Sequence, residues 1–369
     1  MAIHAIFNPA TGVLTETGDR NGNTITTSLD AAGQISVNDG AVPIDGGPVA
    51  NTTGIVVSGG SGDDTISLGN AALPSAQLFG GSGNDVLTGG AGADQLFGGS
   101  GNDTLNGGDG DDLLVGGAGD DTVVGGKGTD TAFLGAGNDT FQWNPGDGND
   151  VVEGGAGFDT LDFLGAKKGE TITISPNGSG ALFTRAAGNI DLNGVERIQF
   201  EATTQGQFAD NITINDLTGT GVQQVAINLG GGGADGNGDD TADTVSIFAT
   251  NGQTITVANK NGEVTVSGLA STVTISNFET SGTIHDQLFI NGQLVPVPVA
   301  DGQSVTVAAV NGNNTGGTST ASDGSHAAGL ALLGQHMASS FVTAGDGHAS
   351  TPIADPPSSQ PPLLAQPHA

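Results

Sequence analysis

Residues 98–106 read Gly98-Gly99-Ser100-Gly101-Asn102-Asp103-Thr104-Leu105-Asn106, and the same nine-residue pattern fills residues 80–142 without a break in frame. The pattern is G-G-x-G-x-D-x-U-x, where U is apolar, and its seven copies begin at residues 80, 89, 98, 107, 116, 125 and 134. A short, constant period is typical of a solenoid, in which each repeat stacks on its neighbours. This stretch therefore predicts the fold of the middle of the chain.

The glycines and the aspartate of each unit point to a metal ion. Glycines at positions 1, 2 and 4 reach backbone angles that are closed to other residues, so we expect the first six residues to turn tightly. The last three residues are expected to form a very short strand whose middle, apolar side chain points inward. Carbonyl and carboxylate oxygens on flexible turns suit calcium, whereas zinc prefers Cys and His, which the repeats lack.

These nonapeptides resemble the repeats-in-toxin (RTX, haemolysin-type) calcium-binding family. The resemblance implies an all-β fold, namely a right-handed parallel β-roll or β-helix solenoid with calcium-binding nonapeptide turns. Two nonapeptides would make one coil, and the turns would stack along two edges. Calcium would lie between neighbouring turns on one edge, bound by position-6 aspartates eighteen residues apart and by turn carbonyls.

The frame extends beyond residues 80–142. Residues 59–67 are a further full copy, and residues 145–153 and 154–162 follow a two-residue slip at Trp143-Asn144. Ala76-Gln77-Leu78-Phe79 matches Asp94-Gln95-Leu96-Phe97 with alanine in place of aspartate, which predicts a rung without a ligand.

The predicted metal ligands form two sets. The first edge holds Asp64, Asp85, Asp103, Asp121, Asp139 and Asp159, and the second edge holds Asp94, Asp112, Asp130 and Asp150. The turn glycines assigned to the sites are Gly60, Gly62, Gly81, Gly83, Gly90, Gly92, Gly99, Gly101, Gly108, Gly110, Gly117, Gly119, Gly126 and Gly128. The edges contain five and three adjacent carboxylate pairs, so we expect about eight calcium ions.

The composition agrees with a metal-dependent fold. The chain has 39 acidic and 7 basic residues, a formal net charge of −32, and this charge opposes compaction. Divalent ions would offset much of it, so folding should be coupled to metal. Nucleic acid and anionic membrane surfaces are disfavoured partners because both need clustered Lys or Arg. The chain has no cysteine and no apolar run long enough for a membrane-spanning helix.

The expected location of the protein outside the cell follows from the calcium concentration that such sites need. Extracellular modules bind calcium at roughly 0.1–1 mM, so such sites would stay mostly empty in the cytosol. The N-terminus lacks the basic region and apolar stretch of an ordinary signal peptide. The family resemblance implies type I export through an uncleaved C-terminal signal, followed by folding in calcium. The expected partners are therefore calcium, the type I secretion machinery, and cell-surface or matrix components.

Three flanking regions complete the chain. Residues 1–58 are expected to form a strand-rich cap, in which Gly22-Asn23-Thr24-Ile25-Thr26 is a non-binding starter rung. Residues 163–310 contain many short strand patterns, interpreted as a wider β-helix that continues the stack, with a separate β-sandwich as the alternative. Residues 311–325 read as a flexible linker. Residues 326–342 are predicted to form a helix before a Pro-rich tail, and this segment is either a disordered tail or the secretion signal.

No catalytic residue is predicted. The sequence contains no H-E-x-x-H and no G-x-S-x-G in a strand-to-helix turn. Asp235–Asp240 departs from an EF-hand loop and is interpreted as an acidic loop, and His285-Asp286 as a polar pair at a strand edge. The favoured function is a secreted structural, surface or adhesion protein. The alternative is a polysaccharide-acting enzyme with its site in residues 163–310, where Lys167, Lys168, Arg185 and Arg197 are most of the cations. A pore-forming toxin is disfavoured, because long apolar helical segments are missing.

Overall fold

The computed structural model describes residues 3–30, 32–45, 51–69, 73–166, 168–186, 188–202, 209–230, 241–250, 252–279, 285–295, 297, 302–308, 316–322, 327–333, 342–343 and 353–354. The secondary structure of these residues is β-strand, apart from one 3-10 turn at Asn38–Gly40. No helix in this part of the chain is long and apolar enough to cross a membrane.

The strands before the nonapeptides are β1 (His4–Asn8), β2 (Val13–Thr17), β3 (Thr24–Leu29), β4 (Ile35–Val37) and β5 (Ile44–Asp45). Those of the nonapeptide region are β6 (Gly54–Ser61), β7 (Thr65–Leu68), β8 (Ala76–Ser82), β9 (Val86–Ala91), β10 (Gln95–Ser100), β11 (Thr104–Asp109), β12 (Leu113–Ala118), β13 (Thr122–Lys127), β14 (Thr131–Ala136), β15 (Thr140–Trp143), β16 (Asp150–Ala156) and β17 (Thr160–Leu164).

The downstream strands are β18 (Thr171–Asn177), β19 (Gly180–Arg185), β20 (Gly188–Asn193), β21 (Arg197–Glu201), β22 (Asn211–Ile214), β23 (Gln224–Asn228), β24 (Thr244–Ile247), β25 (Thr254–Lys260), β26 (Glu263–Ser267), β27 (Thr272–Ser276), β28 (Gln287–Ile290), β29 (Gln293–Val295) and β30 (Ser304–Ala308). The last strands are β31 (Gly316–Ser322), β32 (Ala327–Leu333), β33 (Val342–Thr343) and β34 (Ile353–Ala354).

Among the described residues, two long sheets contain all strands except β33 and β34, which pair with each other. Each long sheet has sixteen strands, and consecutive strands of the nonapeptide region alternate between them. Within each sheet the nonapeptide strands pair in parallel with the strand two places along the chain, so Leu96 lies opposite Leu114, eighteen residues later. Two nonapeptides therefore make one coil, and the predicted all-β roll is confirmed.

The strands are longer than the sequence analysis expected. They cover positions 7 to 9 of one unit and positions 1 to 3 of the next, as β10 does from Gln95 to Ser100. The turn is confined to positions 4 to 6, so the expectation of a six-residue turn is wrong. The glycines at position 2 pair across the sheet in register, Gly99 with Gly117, and this pairing satisfies their backbone groups.

The core of the roll contains a column of apolar side chains from position 8 of the repeats. The position-8 residues of successive coils, such as Leu87, Leu105 and Val123, are fully buried. Positions 6 and 1 also point inward, because side chains alternate along a strand, and these positions carry aspartate and glycine. From β9 to β13 the interior is therefore lined by one large apolar residue per strand, with a carboxylate beside it, whereas β7, β15 and β17 each bury two large apolar residues.

The N-terminal strands stack on the first coil. β2 pairs in parallel with β6, and β3 pairs with β7 so that Ile25 lies opposite Ile66. The ligand-free rung at Ala76 lies in frame, with Leu78 opposite Leu96.

The two sheets continue past the nonapeptides. β16 pairs in parallel with β20, and β17 pairs with β21, so the downstream strands extend the same stack. Antiparallel hairpins, β18–β19–β20 and β25–β26–β27, interrupt the parallel order. The domain boundaries at residues 58, 162 and 310 stay predictions, and β6 and β17 run across the first two.

The C-terminal predictions need correction. Within the predicted linker, β31 pairs antiparallel with β30. Within the predicted helix, β32 pairs antiparallel with β31, so the helix is wrong for Ala327–Leu333. Gly329 lowers the helix propensity of this segment, while the strand ladder satisfies its backbone groups. The remainder of the predicted linker and helix, most of the Pro-rich tail and the acidic loop at Asp235–Asp240 lie outside the described residues.

Candidate metal centre

All ten predicted aspartates occupy the same place in the coil. Each lies at the end of a turn, directly before a strand or, for Asp150, as its first residue, and each points inward and is at most 3% exposed. On the first edge, Asp85 Oδ1 accepts the backbone N–H of Asp64 at 2.7 Å, and Asp103 Oδ1 accepts that of Asp85 at 2.8 Å. The same contact repeats along the edge as far as Asp159.

The second edge has the same inner ladder. Asp112 Oδ1 accepts the N–H of Asp94 at 2.8 Å, and the bonds continue to Asp130 and Asp150. The ladder begins at Ala76, whose N–H donates to Asp94 Oδ1 at 2.7 Å. The first edge begins at Asn23, whose N–H donates to Asp64 Oδ1 at 2.6 Å. The structure therefore places the predicted residues in two columns of six and four carboxylates.

The second oxygen of every one of these carboxylates lacks a partner. Asp64, Asp85, Asp94, Asp103, Asp112, Asp121, Asp130, Asp139, Asp150 and Asp159 each have a buried Oδ2 with no hydrogen bond. Among the described residues only three other buried side-chain atoms share this condition. A buried carboxylate oxygen without a donor or a cation is strongly destabilising. The ten orphaned oxygens therefore mark the place that a cation would fill.

Glycines leave the space beside these oxygens open. A Cβ added at Gly98 would lie within 3.0 Å of the Asp103 carboxylate, and 2.6 Å from the Gly116 carbonyl oxygen of the next coil. Gly80 is placed in the same way between Asp85 and the Gly98 carbonyl. Each cradle thus borders one carboxylate oxygen and one carbonyl oxygen, both hard ligands of the kind calcium prefers.

The turn glycines are required by backbone geometry as well as by space. Gly99 and Gly101 both have φ of 118°, a region that residues with a side chain rarely adopt. A Cβ at either would also collide with a carbonyl oxygen of the preceding coil. Most of the fourteen glycines assigned to the sites approach the backbone of the preceding coil in this way, whereas Gly90 and Gly92 have more space.

The carboxylates are electrostatically unfavourable without a cation. Burial, with the neighbouring carboxylates of the column as a smaller cause for most, raises the pKa of Asp103 to about 6 and that of Asp121 to about 7. Similarly raised pKa values, about 6 or about 7, belong to Asp94, Asp112, Asp130, Asp150 and Asp159. At neutral pH the folded coil therefore favours binding of either a proton or a metal ion at these sites.

The donor set fits calcium. No group of three or more Asp, Glu, His or Cys side chains converges on one point among the described residues, so side chains alone do not complete a coordination shell. Carboxylate oxygens supplemented by several main-chain carbonyls match the six to eight oxygen ligands of calcium. When bound, the ion would supply positive charge between coils. The chain supplies the inward carboxylates, the open glycine turns and the ladder that fixes one oxygen of each aspartate.

Two features of this region were missed from the sequence. One is a second, outer ladder made by Asn and Asp side chains at position 5, which recurring Asn-Asp and Asp-Asp pairs could have revealed. The other is a similar ladder in the downstream region, in which Asp210 Oδ1 accepts the Glu170 N–H at 2.8 Å and Asp243 Oδ1 accepts the Asp210 N–H at 2.6 Å. Its irregular spacing hides it in the sequence.

Two polar residues of the downstream region, Arg185 and Asp286, make contacts that stabilise the fold. Arg185 is buried, forms an ion pair with Glu170 at 2.9 Å and lies over the Trp143 and Phe163 rings. Asp286 Oδ1 accepts the N–H of Asp243 at 2.9 Å. These contacts place both residues in packing roles, and Lys167 lies outside the described residues.

Comparison with known proteins identifies the nonapeptides. Residues 56–72, 77–105, 106–141 and 146–162 match the model of the RTX calcium-binding nonapeptide repeat, in four copies. The crystal structure of the extracellular lipase LipA from Serratia marcescens matches at 12% identity, covering 55% of this chain and 43% of its own, with a TM-score of 0.20. That similarity is too low to carry an argument, and this chain spans less than half of the lipase. No curated protein matches the sequence significantly.

Proposed function

Because the chain belongs to the RTX calcium-binding repeat proteins through residues 56–162, we propose that it is a secreted protein whose solenoid folds when it meets calcium outside the cell. The orphaned Oδ2 atoms of all ten position-6 aspartates carry this proposal. Eight of them lie beside a position-1 glycine, whereas Leu134 and Pro145 stand at that position before Asp139 and Asp150. Each belongs to a carboxylate whose other oxygen already accepts a hydrogen bond.

The expected number of ions is about eight. The inner ladder has five steps between carboxylates on the first edge and three on the second. One calcium per step would place every orphaned oxygen next to an ion. Asp64 and Asp94 begin the two columns and have a neighbouring carboxylate on one side only. Asn23 and Ala76 occupy the preceding positions of the ladders.

Calcium would control where the chain folds. In the absence of metal, the stacked carboxylates and the net charge of −32 oppose the coil, and the strands from β9 to β13 each contribute only one large apolar side chain to the core. Calcium at extracellular concentrations would remove the repulsion and cross-link the coils. This behaviour suits type I export of an unfolded chain, and the folded solenoid suits a structural, surface or adhesion role.

A calcium titration tests the proposal. We expect circular dichroism of chelated protein to show little β-structure from the repeats, and cooperative gain of β-structure at sub-millimolar to millimolar calcium. Magnesium is the control ion, because it requires a near-octahedral shell at shorter distances and should not replace calcium. A spectrum that does not respond to calcium would contradict the proposal.

A further inference from the structure

A second hydrogen-bond ladder runs along the outside of the first edge. The position-5 side chains accept the backbone N–H of the position-5 residue in the next coil. Asn84 Oδ1 accepts from Asn102 at 2.7 Å, and Asn102 Oδ1 accepts from Asp120 at 3.0 Å. The bonds from Asn84 to Asp63, from Asn138 to Asp120 and from Phe158 to Asn138 make the ladder continuous over five steps.

The inner and outer ladders run in opposite directions. In the inner ladder each turn donates to an aspartate of the following coil, whereas in the outer ladder it donates to a side chain of the preceding coil. Every first-edge turn between Asp64 and Asp159 is therefore held from both sides. The position-5 side chains are exposed and the position-6 carboxylates are buried, so the two ladders flank the turn carbonyls.

The second edge lacks this continuity. Its position-5 residues include Ala93, which has no side-chain acceptor, and Thr129. Between Asp94 and Asp150, the described residues show one outer bond, from the Thr129 N–H to Asp111 Oδ1 at 2.9 Å. Among the described residues, two of the three steps on this edge therefore lack an outer bond.

We propose that the position-5 Asn and Asp side chains are positioning residues, and that they make the first edge fill with calcium at lower concentration than the second. This inference rests on the calcium binding proposed above. Each outer bond forms as a first-edge turn folds around its ion, so it adds to the free energy that favours filling that edge. The expected difference is about fivefold in half-saturating calcium, the factor that corresponds to one net hydrogen bond.

The test is a calcium titration of the full chain, labelled with ¹⁵N-glycine and followed by NMR. The position-4 glycines report on the edges separately, Gly101 and Gly119 on the first and Gly110 and Gly128 on the second. We expect the first-edge signals to reach half-saturation at about fivefold lower calcium. Simultaneous titration of both edges in the wild-type chain would overturn the inference, whereas a wild-type chain without any calcium response would overturn the proposed function itself.

Three variants assign the effect to position 5. Asn102→Ala removes the acceptor for the Asp120 N–H and should move the Gly119 midpoint towards the second-edge value. Asn102→Asp keeps the Oδ1 acceptor and should preserve the wild-type midpoint, a rescue that a general packing role would not give. Thr129→Ala makes an exposed truncation at the matched position of the second edge and should leave both midpoints unchanged. Equal effects of Asn102→Ala and Thr129→Ala would overturn the inference.

Hydrogen exchange of backbone amides tests the inference in the wild-type chain, so its outcome does not depend on whether a variant folds. In saturating calcium, the Asp120 amide, bonded to Asn102, should exchange slowly. The Asp111 amide should exchange faster, because Ala93 stands at the matching position behind it. Equal protection of the two amides would contradict the proposed difference between the edges.

Discussion

Replacing Asp103 with asparagine should have opposite effects with and without calcium. Asparagine keeps the Oδ1 that accepts the Asp85 N–H at 2.8 Å, and it replaces the orphaned Oδ2 with an amide nitrogen. The variant therefore leaves the inner ladder intact while it removes the charge and the open ligand. It separates the calcium role of the aspartate from its structural role.

The expected change in stability follows from the surroundings of Asp103 without and with calcium. Without metal, burial raises the pKa of Asp103 to about 6 from an ordinary value of 3.8, so the ionised carboxylate destabilises the folded coil at neutral pH. Two pKa units correspond to at most about 3 kcal/mol, and solvent screening reduces this to about 1–2 kcal/mol. Asp103→Asn should stabilise the metal-free coil by that amount. In calcium it removes a charged contact, and should destabilise the coil by about 1.5–3 kcal/mol.

The assay is urea unfolding at pH 7.5, once in excess calcium and once in chelator with sucrose added to favour the compact state. Asp120→Asn is the matched control, since it removes the same charge from an exposed position-5 side chain and keeps the acceptor. The control should change stability by less than about 0.5 kcal/mol in calcium. A destabilising effect of Asp103→Asn in both conditions would refute the reasoning, because the carboxylate would then be a simple structural group.

Other perturbations test the same account. In chelator the folded state binds protons more readily than the unfolded chain, because the pKa values of Asp103 and Asp121 in the folded state lie near 6 and 7. The β-structure should therefore form near pH 5 and be lost as the pH rises through about 6–7. A circular dichroism signal that grows with pH would contradict this. Gly98→Ala should abolish calcium-induced folding of its coil, because the new Cβ occupies the space beside the Asp103 carboxylate. Gly221→Ala, whose Cβ meets only one atom at 4.0 Å, is the control. Wild-type calcium binding by Gly98→Ala would show that this space is unimportant. Leu105→Ala should cost about 2–5 kcal/mol of unfolding free energy in calcium, against less than about 0.5 kcal/mol for the outward-facing Thr104→Ala, and similar values for the two would place the core elsewhere.

The roll and its carboxylate columns could be predicted because the period is explicit. A nine-residue frame assigns each residue to a fixed position in the coil, so the places of Leu105 and Asp103 follow from the sequence alone. The same frame identified Ala76 as a rung without a carboxylate. Repetition supplied the long-range pairing that a single strand pattern does not contain.

The remaining features depend on contacts that have no period. The strands extend through the glycines because parallel neighbours at the same spacing satisfy their backbone groups, a gain that glycine's low strand propensity conceals. The downstream ladder of Asp210, Asp243 and Asp286 has unequal spacing, so its members look like isolated acidic residues. The segment Ala327–Leu333 has a helical pattern of apolar residues, yet it lies in the sheet, where pairing with β31 outweighs local propensity.

The central claim is that the orphaned carboxylate oxygens bind calcium in two columns. The most direct measurement is anomalous scattering from crystals of the full chain grown in calcium. We expect about eight anomalous peaks between neighbouring turns, five on the first edge and three on the second, each next to a position-6 carboxylate oxygen. Crystals in calcium that show water or no density beside Asp85, Asp103 and Asp121 would contradict it.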